Sequence, residues 1–334
     1  MKNKVKNLLR KNGYLVGDGA MGTNLFTLGL KSGEPPEIWN ISNPDKVKQI
    51  HRECILAGSD IILTNSFGAN RFRLELHNAQ KRTRELNLTS AKIGRSAADA
   101  TDRDILVAGS IGPIGEFIEP IGTLSLNNAT KVFSEQAKAL QFGGVDVIWI
   151  ETMSSIQELL AAINGAVSTG LPIIATMSFD TAGKTMMGVS AKELMTFRKK
   201  MGDKITAIGA NCGVGPATLV STICELASNS DDKDILVAKA NCGIPEFKEG
   251  KICYTGTPEM MGAYARLSRE SGAMIIGGCC GTSQVHIKEM ARILKKKKQG
   301  NMPDRDLIES QLGKIDRPKK HSKRRSHTRR RQPL

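Results

Sequence analysis

Eight short apolar runs, each bounded by turn-forming residues, recur between Gly13 and Gly278. They are Gly13–Gly17, Asp60–Asn65, Ile105–Ser110, Asp146–Glu151, Ile173–Ser178, Ile205–Asn211, Asp234–Ala240 and Ala273–Gly278. Most are continuous rather than alternating, as parallel strands covered on both faces must be. Amphipathic segments of helical length separate them, among them Pro44–Ala57, Thr130–Gly143, Ser155–Val167 and Pro258–Ser271. The first of these opens on Asn43-Pro44-Asp45, a cap followed by proline at the first helical position. Eight strand–helix units predict a single (β/α)8 barrel, a fold of about 250 residues. A doubly wound sheet in two domains is the alternative, but no linker or composition break appears before residue 292. The barrel carries a demand: reactive side chains belong at the C-terminal ends of its strands.

Composition narrows the class. With 40% hydrophobic and 24% charged residues, the 334-residue chain has ample material for a core. No run approaches the roughly 18–20 apolar residues of a membrane helix. The basic start, Met1 to Val16, lacks the apolar stretch of a secretory signal, so the cytoplasm is the expected compartment. Seven cysteines in a reducing compartment are expected as metal ligands or buried thiols. The net charge of +15 is concentrated: from Arg292 onward there are 16 Lys and Arg against 4 acids. The expected organisation is therefore a barrel over 1–292 and a basic, disordered tail over 293–334. The tail interleaves no aromatic residue for base stacking, so a solvated segment is preferred over a nucleic-acid contact.

Four cysteines fall at the ends of the sixth, seventh and eighth strands: Cys212, Cys242, Cys279 and Cys280. Neighbouring residues of a regular strand face opposite ways, so Cys279 and Cys280 can meet one ion only where the strand has ended. Gly277, Gly278 and Gly281 are expected to supply the backbone freedom. Three thiolates suit one Zn(2+) and leave the fourth tetrahedral position open to a substrate atom. Cys242 fits better as a supporting residue, because a fourth thiolate would close the site. Glu151 is a lone carboxylate ending an apolar strand, placed to hold an ammonium group. The loop Asp18–Thr23, rich in small residues, offers backbone N–H groups to a carboxylate. An amino acid would be held at both ends. No histidine is expected at a strand end; His51, His77 and His286 fall in predicted helices.

Together these segments are identifiable. GDGAMGTNLF at 17–26, NSFGANR at 65–71, SIGPIGE at 110–116, IET at 150–152, GANCGVGP at 209–216 and GGCCGT at 277–282 resemble the zinc-dependent homocysteine S-methyltransferase family. That family includes the N-terminal homocysteine module of cobalamin-dependent methionine synthase. SFDTAGKTMMG at 178–188, ANCGIPEF at 240–247 and YTGTPE at 254–259 are similar to the bacterial betaine–homocysteine methyltransferases. The resemblance implies zinc on Cys212, Cys279 and Cys280, with homocysteine sulfur at the open position and its amino-acid end on Glu151 and the Asp18–Gly19 loop. Asp18 and Glu151 are then the catalytic candidates. Gly19, Ala20, Ser66, Phe67 and Asn211, which lie in these motifs, are candidate substrate contacts. The implied reaction moves a methyl group from glycine betaine to homocysteine, giving methionine and dimethylglycine, with no membrane partner.

The donor rests on resemblance alone. A quaternary ammonium is usually held against aromatic faces, and the chain has two Trp, three Tyr and nine Phe. Trp39, Phe67, Trp149 and Tyr254 are the candidates for a donor pocket. S-methylmethionine, another sulfonium or a methyl-corrinoid partner are alternative donors. No cobalamin or folate domain is expected after the barrel. A nucleic-acid-binding protein acting through the tail is the remote alternative.

Overall fold

The computed structural model describes residues 3–248, 251–296 and 300–316. Its strands are β1 (Leu15–Val16), β2 (Ile61–Leu63), β3 (Leu106–Ile111), β4 (Val147–Met153), β5 (Ile173–Met177), β6 (Ala207–Cys212), β7 (Leu236–Ala240), β8 (Pro245–Lys248), β9 (Lys251–Tyr254) and β10 (Ala273–Gly278). Eight of them form one parallel sheet in the order β1-β10-β7-β6-β5-β4-β3-β2. The sheet closes between β1 and β2. Gly17 bridges Ile61, Asp60 N donates to Val16 O at 2.7 Å, and Val16 N donates to the Asp60 carboxylate at 2.9 Å. Helices follow the strands, and the result is the (β/α)8 barrel that the eight apolar runs predict.

Strand alternation sorts the core into two layers. Leu15, Ile61, Leu106, Val147, Ile174 and Ile275 belong to an inner cluster, while their chain neighbours Val16, Ile62, Val107, Ile148, Ala175 and Ile276 pack in the outer, helix-facing one. The helix Lys4–Asn12 adds Val5, Leu8 and Leu9 to the inner cluster. Asn3, its N-cap, donates to Thr206 Oγ1 at 3.2 Å, just ahead of β6. The helix thus plugs the N-terminal end of the barrel. Farther along each strand the inward positions turn polar, with Ser110, Glu151, Asn211 and Lys239 all buried. That change of chemistry along the lumen makes one end a site and the other a core.

Two parts were not read from the sequence. A hairpin, β8–β9, stands between β7 and the helix Pro258–Glu270. A helix at Arg305–Leu312 buries Ile308 and Leu312 against Pro216–Ala227 and Pro258–Glu270. Asp316 N then donates to Thr218 Oγ1 at 3.1 Å. The boundary at 292 is therefore corrected: it falls inside the helix Gln284–Lys296, and packed structure continues to Asp316. The basic run from Arg317 lies outside the described residues. Among the described residues no helix is long and apolar enough to cross a membrane.

Candidate active site

The ends of β6 and β10 bring three sulfurs together. Cys212 Sγ lies 3.3 Å from Cys279 Sγ and 3.8 Å from Cys280 Sγ, and all three fall within 4.8 Å of one another. Cys212 is held at φ +62°, a left-handed conformation rare for a residue with a side chain. Thr152, at the end of β4, is likewise at φ +63°. Asn211 ties these two ends together, accepting from Thr152 N at 2.8 Å and donating to Thr152 Oγ1 at 2.7 Å. The strain thus sits on the cysteine, supported by its neighbour.

The glycines do a different job from the one expected. Gly281 alone of the three has a positive φ, +77°, and a β-carbon there would fall 2.3 Å from the Tyr254 ring. Gly277 and Gly278 supply room instead: a β-carbon on Gly278 would lie 2.2 Å from the Thr282 side chain.

Cys242 stands apart. Its thiol is buried and donates to Gly256 O at 3.3 Å, while its backbone N–H donates to Cys280 O at 2.8 Å. Hydrogen bonds from Cys212 and Cys279 pull the Cys280 thiol down to about 3, and the same contacts, with burial, push Cys212 up. Tyr254 is hydrogen-bonded to Cys280 as well. This donor set fits a thiophilic ion: three convergent sulfurs and no oxygen ligand among them.

A cavity of about 470 Å³ opens above the sulfurs. Glu151 lies in its wall, 8% exposed, with Ser110 Oγ donating to its Oε1 at 2.5 Å. Burial raises this carboxyl to about 7, opposed by Lys239. Gly19, Ala20, Ser66 and Phe67 also line the cavity. The helix Met21–Thr27 begins there with no side chain capping its first turn, so its leading amides are available to an anion.

Other expected residues are placed differently. Asp18 does not line the cavity; one carboxylate oxygen takes Lys239 Nζ at 2.8 Å and the other takes Leu63 N at 2.7 Å. Both of its oxygens are thus engaged, one of them on Lys239. Asn211 is fully buried and serves the strand-end clamp rather than the cavity. Trp149 shares the inward face with Glu151 but lies one layer deeper, in the inner core, with Nε1 donating to Thr176 Oγ1 at 3.3 Å. Trp39 packs in the outer layer, with Lys46 4.8 Å above its ring. Neither tryptophan lines the cavity, and Tyr254 touches the sulfurs from outside it. Of the four donor-pocket candidates only Phe67 faces the space, joined by Phe26.

Lys239 went unnoticed in the sequence. It is 2% exposed, lines the cavity, pairs with Asp18 and lies 5.3 Å over the Trp149 ring. The signal was available: a lone lysine inside the apolar run DILVAKA can be buried only with a partner. Arg73 and His77, also in the cavity wall, carried no such signal. His77 lies in a turn rather than a helix.

A family model described as homocysteine S-methyltransferase matches residues 15–294. The methionine synthase of Mycobacterium tuberculosis is 31% identical over 293 residues, covering 83% of this chain and 24% of that protein. That of Mycobacterium leprae is 29% identical over 307 residues, covering 86% and 25%. The chain thus spans about a quarter of the length of these curated relatives. The metallated homocysteine methyltransferase MmuM of Escherichia coli shares the fold, with a TM-score of 0.73 at 21% identity over 87% of this chain and 99% of that one. With the family model covering the whole barrel, the chain belongs to the homocysteine S-methyltransferase family.

Proposed function

We propose that the barrel mouth is a zinc site that takes up homocysteine and methylates its sulfur to give methionine. The observation that carries this reading is the convergence of Cys212, Cys279 and Cys280 at the floor of a cavity walled by Glu151. The three cysteines would hold the ion. When bound, zinc supplies a positive charge that keeps a coordinated thiol deprotonated at neutral pH. The chain's own groups then do the positioning. Glu151, steadied by Ser110, faces the α-ammonium, and the open first turn of Met21–Thr27 faces the α-carboxylate. Lys239 neutralises Asp18 beneath them. The homocysteine sulfur lone pair forms the new S–CH3 bond as the donor's C–N or C–S bond breaks, its electrons leaving with a neutral amine or thioether. No proton has to reach the leaving group, so positioning carries the remaining burden.

The donor we propose is glycine betaine, on the segments 178–188, 240–247 and 254–259. These segments lie outside the cavity wall, and the wall offers only Phe26 and Phe67 as aromatic faces. A second reading, a methyl group delivered on a corrinoid carrier protein, is favoured by a different observation. Exposed Phe26, Leu76, Phe117, Ile121, Met186 and Ile244 all lie in segments that follow barrel strands, on the face that carries the mouth. The test is methyl transfer by the zinc-loaded protein, with homocysteine and methyl-labelled glycine betaine, S-methylmethionine or a methyl-corrinoid protein. Labelled methionine with dimethylglycine supports the first reading; label moving only from the corrinoid supports the second. No transfer from any donor would overturn both.

A further inference from the structure

Arg73 and Lys239 are the two Lys or Arg side chains of the cavity wall, and of the two only Lys239 has a carboxylate partner among the described residues. Arg73 lies on the short helix Arg71–Glu75 after β2, half-buried, with its aliphatic stem over Gly115. A β-carbon at Gly115 would come within 3.1 Å of Arg73 Cδ, so the stem is held against the backbone. No carboxylate of the described residues lies within ion-pair distance of its guanidinium. The two acids whose fields reach it, Glu37 and Glu158, are engaged elsewhere. Glu37 Oε1 takes Gly68 N at 2.6 Å, and Glu158 Oε1 takes Ile114 N at 2.8 Å. His77 lies on the same wall four residues farther along the chain, in the turn after the helix. Lys239, by contrast, is already paired.

A guanidinium offers a planar fork of donors that matches a carboxylate in two-point contact. Phe67 and Phe26 line the same cavity, and aromatic rings are the usual partners of an onium group. We propose that Arg73, with His77 beside it, anchors the carboxylate of a zwitterionic methyl donor, so that the small-molecule donors this protein uses are carboxylate-bearing onium compounds. This rests on the methyl-transfer reading and deepens it: the donor is selected by its anion, at a point away from the reacting methyl group. Glycine betaine and S-methylmethionine both satisfy the requirement; tetramethylammonium and trimethylsulfonium do not.

The experiment compares zinc-loaded wild type with Arg73→Met and Arg73→Lys, using those four compounds as donors to homocysteine. Arg73→Met should raise the KM for the carboxylated donor by about ten- to a hundred-fold, the worth of a hydrogen bond to a charged group. The KM for homocysteine should stay within a factor of two or so. Arg73→Lys should recover part of the loss. The carboxylate-free donors should respond far less to the substitution, so that the wild-type preference for carboxylated donors shrinks in the variant. Equal use of carboxylated and carboxylate-free donors by the wild type would overturn the proposal. So would a loss in Arg73→Met that falls on all donors and homocysteine alike, the mark of a structural role. Calorimetric titration of the homocysteine-loaded protein with glycine betaine separates the two layers. Binding that weakens in Arg73→Met without methyl transfer from any donor would sink the methyl-transfer reading and keep the anchor, whereas neither binding nor transfer would end both.

Discussion

At the scale of single residues, Glu151 concentrates the conflict on which the proposed binding of an ammonium group depends. Its carboxyl is buried among strands, which raises it to about 7, while Lys239 opposes the shift. A neutral acid cannot hold an ammonium group, so affinity for the amino-acid end should rise with pH through about 7 and then level off. Methionine is the right probe, because its thioether carries no proton to confuse the profile. Glu151→Gln should bind methionine at least tenfold more weakly and lose the pH dependence; an unchanged profile would remove Glu151 from the ammonium site. Stability moves the other way. The folded pKa lies above the ordinary carboxylate value, so the native state binds the proton more tightly. Stability from this group is complete below about 4.5 and lost as pH rises through about 7. Glu151→Gln, with no charge to bury, should therefore melt a few degrees above the wild type at pH 8 and alongside it at pH 5.

The same residues show how far the sequence reaches. Cys212, Cys279, Cys280 and Glu151 were legible because each is an improbable residue at the end of an apolar run, where a barrel places its chemistry. Asp18 and Trp149 lie outside the cavity wall, because the sequence gives a face but not a depth. Trp149 points inward as Glu151 does, two residues earlier, and so lands in the core. Arg73 was illegible, since its meaning comes from what does not lie near it in space.

At the scale of elements, the strands were read nearly to their ends, because continuous burial leaves a strong pattern. The helix Arg305–Leu312 was hidden by charge. It lies in the basic region after residue 292, and only Ile308 and Leu312 are apolar and buried on it. Those two side chains nonetheless join the outer core. Leu312→Ala or Ile308→Ala should each cost about 2–4 kcal/mol in denaturant unfolding, the usual penalty for emptying a buried aliphatic site. Zinc retention and homocysteine affinity should be unaltered, because the helix packs on the outside of the barrel. A cost below about 0.5 kcal/mol would mean that the helix is not part of the cooperative unit.

For the molecule as a whole, the division of labour runs along the barrel axis. One end is sealed by Val5, Leu8 and Leu9, and the other carries the only three-residue thiol cluster found among the described residues. Strand ends that are far apart in sequence are locked by side-chain bonds: Asn211 to Thr152, Lys239 to Asp18, Asn241 to Gly213 and Cys280. Such cross-ties hold the sulfurs in place, as the proposed zinc site with an open coordination position requires.

In the proposed site three thiols hold zinc and leave one place for the substrate's sulfur. X-ray absorption at the zinc edge, with and without homocysteine, counts those sulfurs directly. Three sulfur ligands are expected in the loaded protein and four once homocysteine is added. Cys242→Ala should give the same pair of counts, and Cys212→Ser should lose the ion. Four sulfurs before homocysteine, or three that do not change in its presence, would contradict the proposed site.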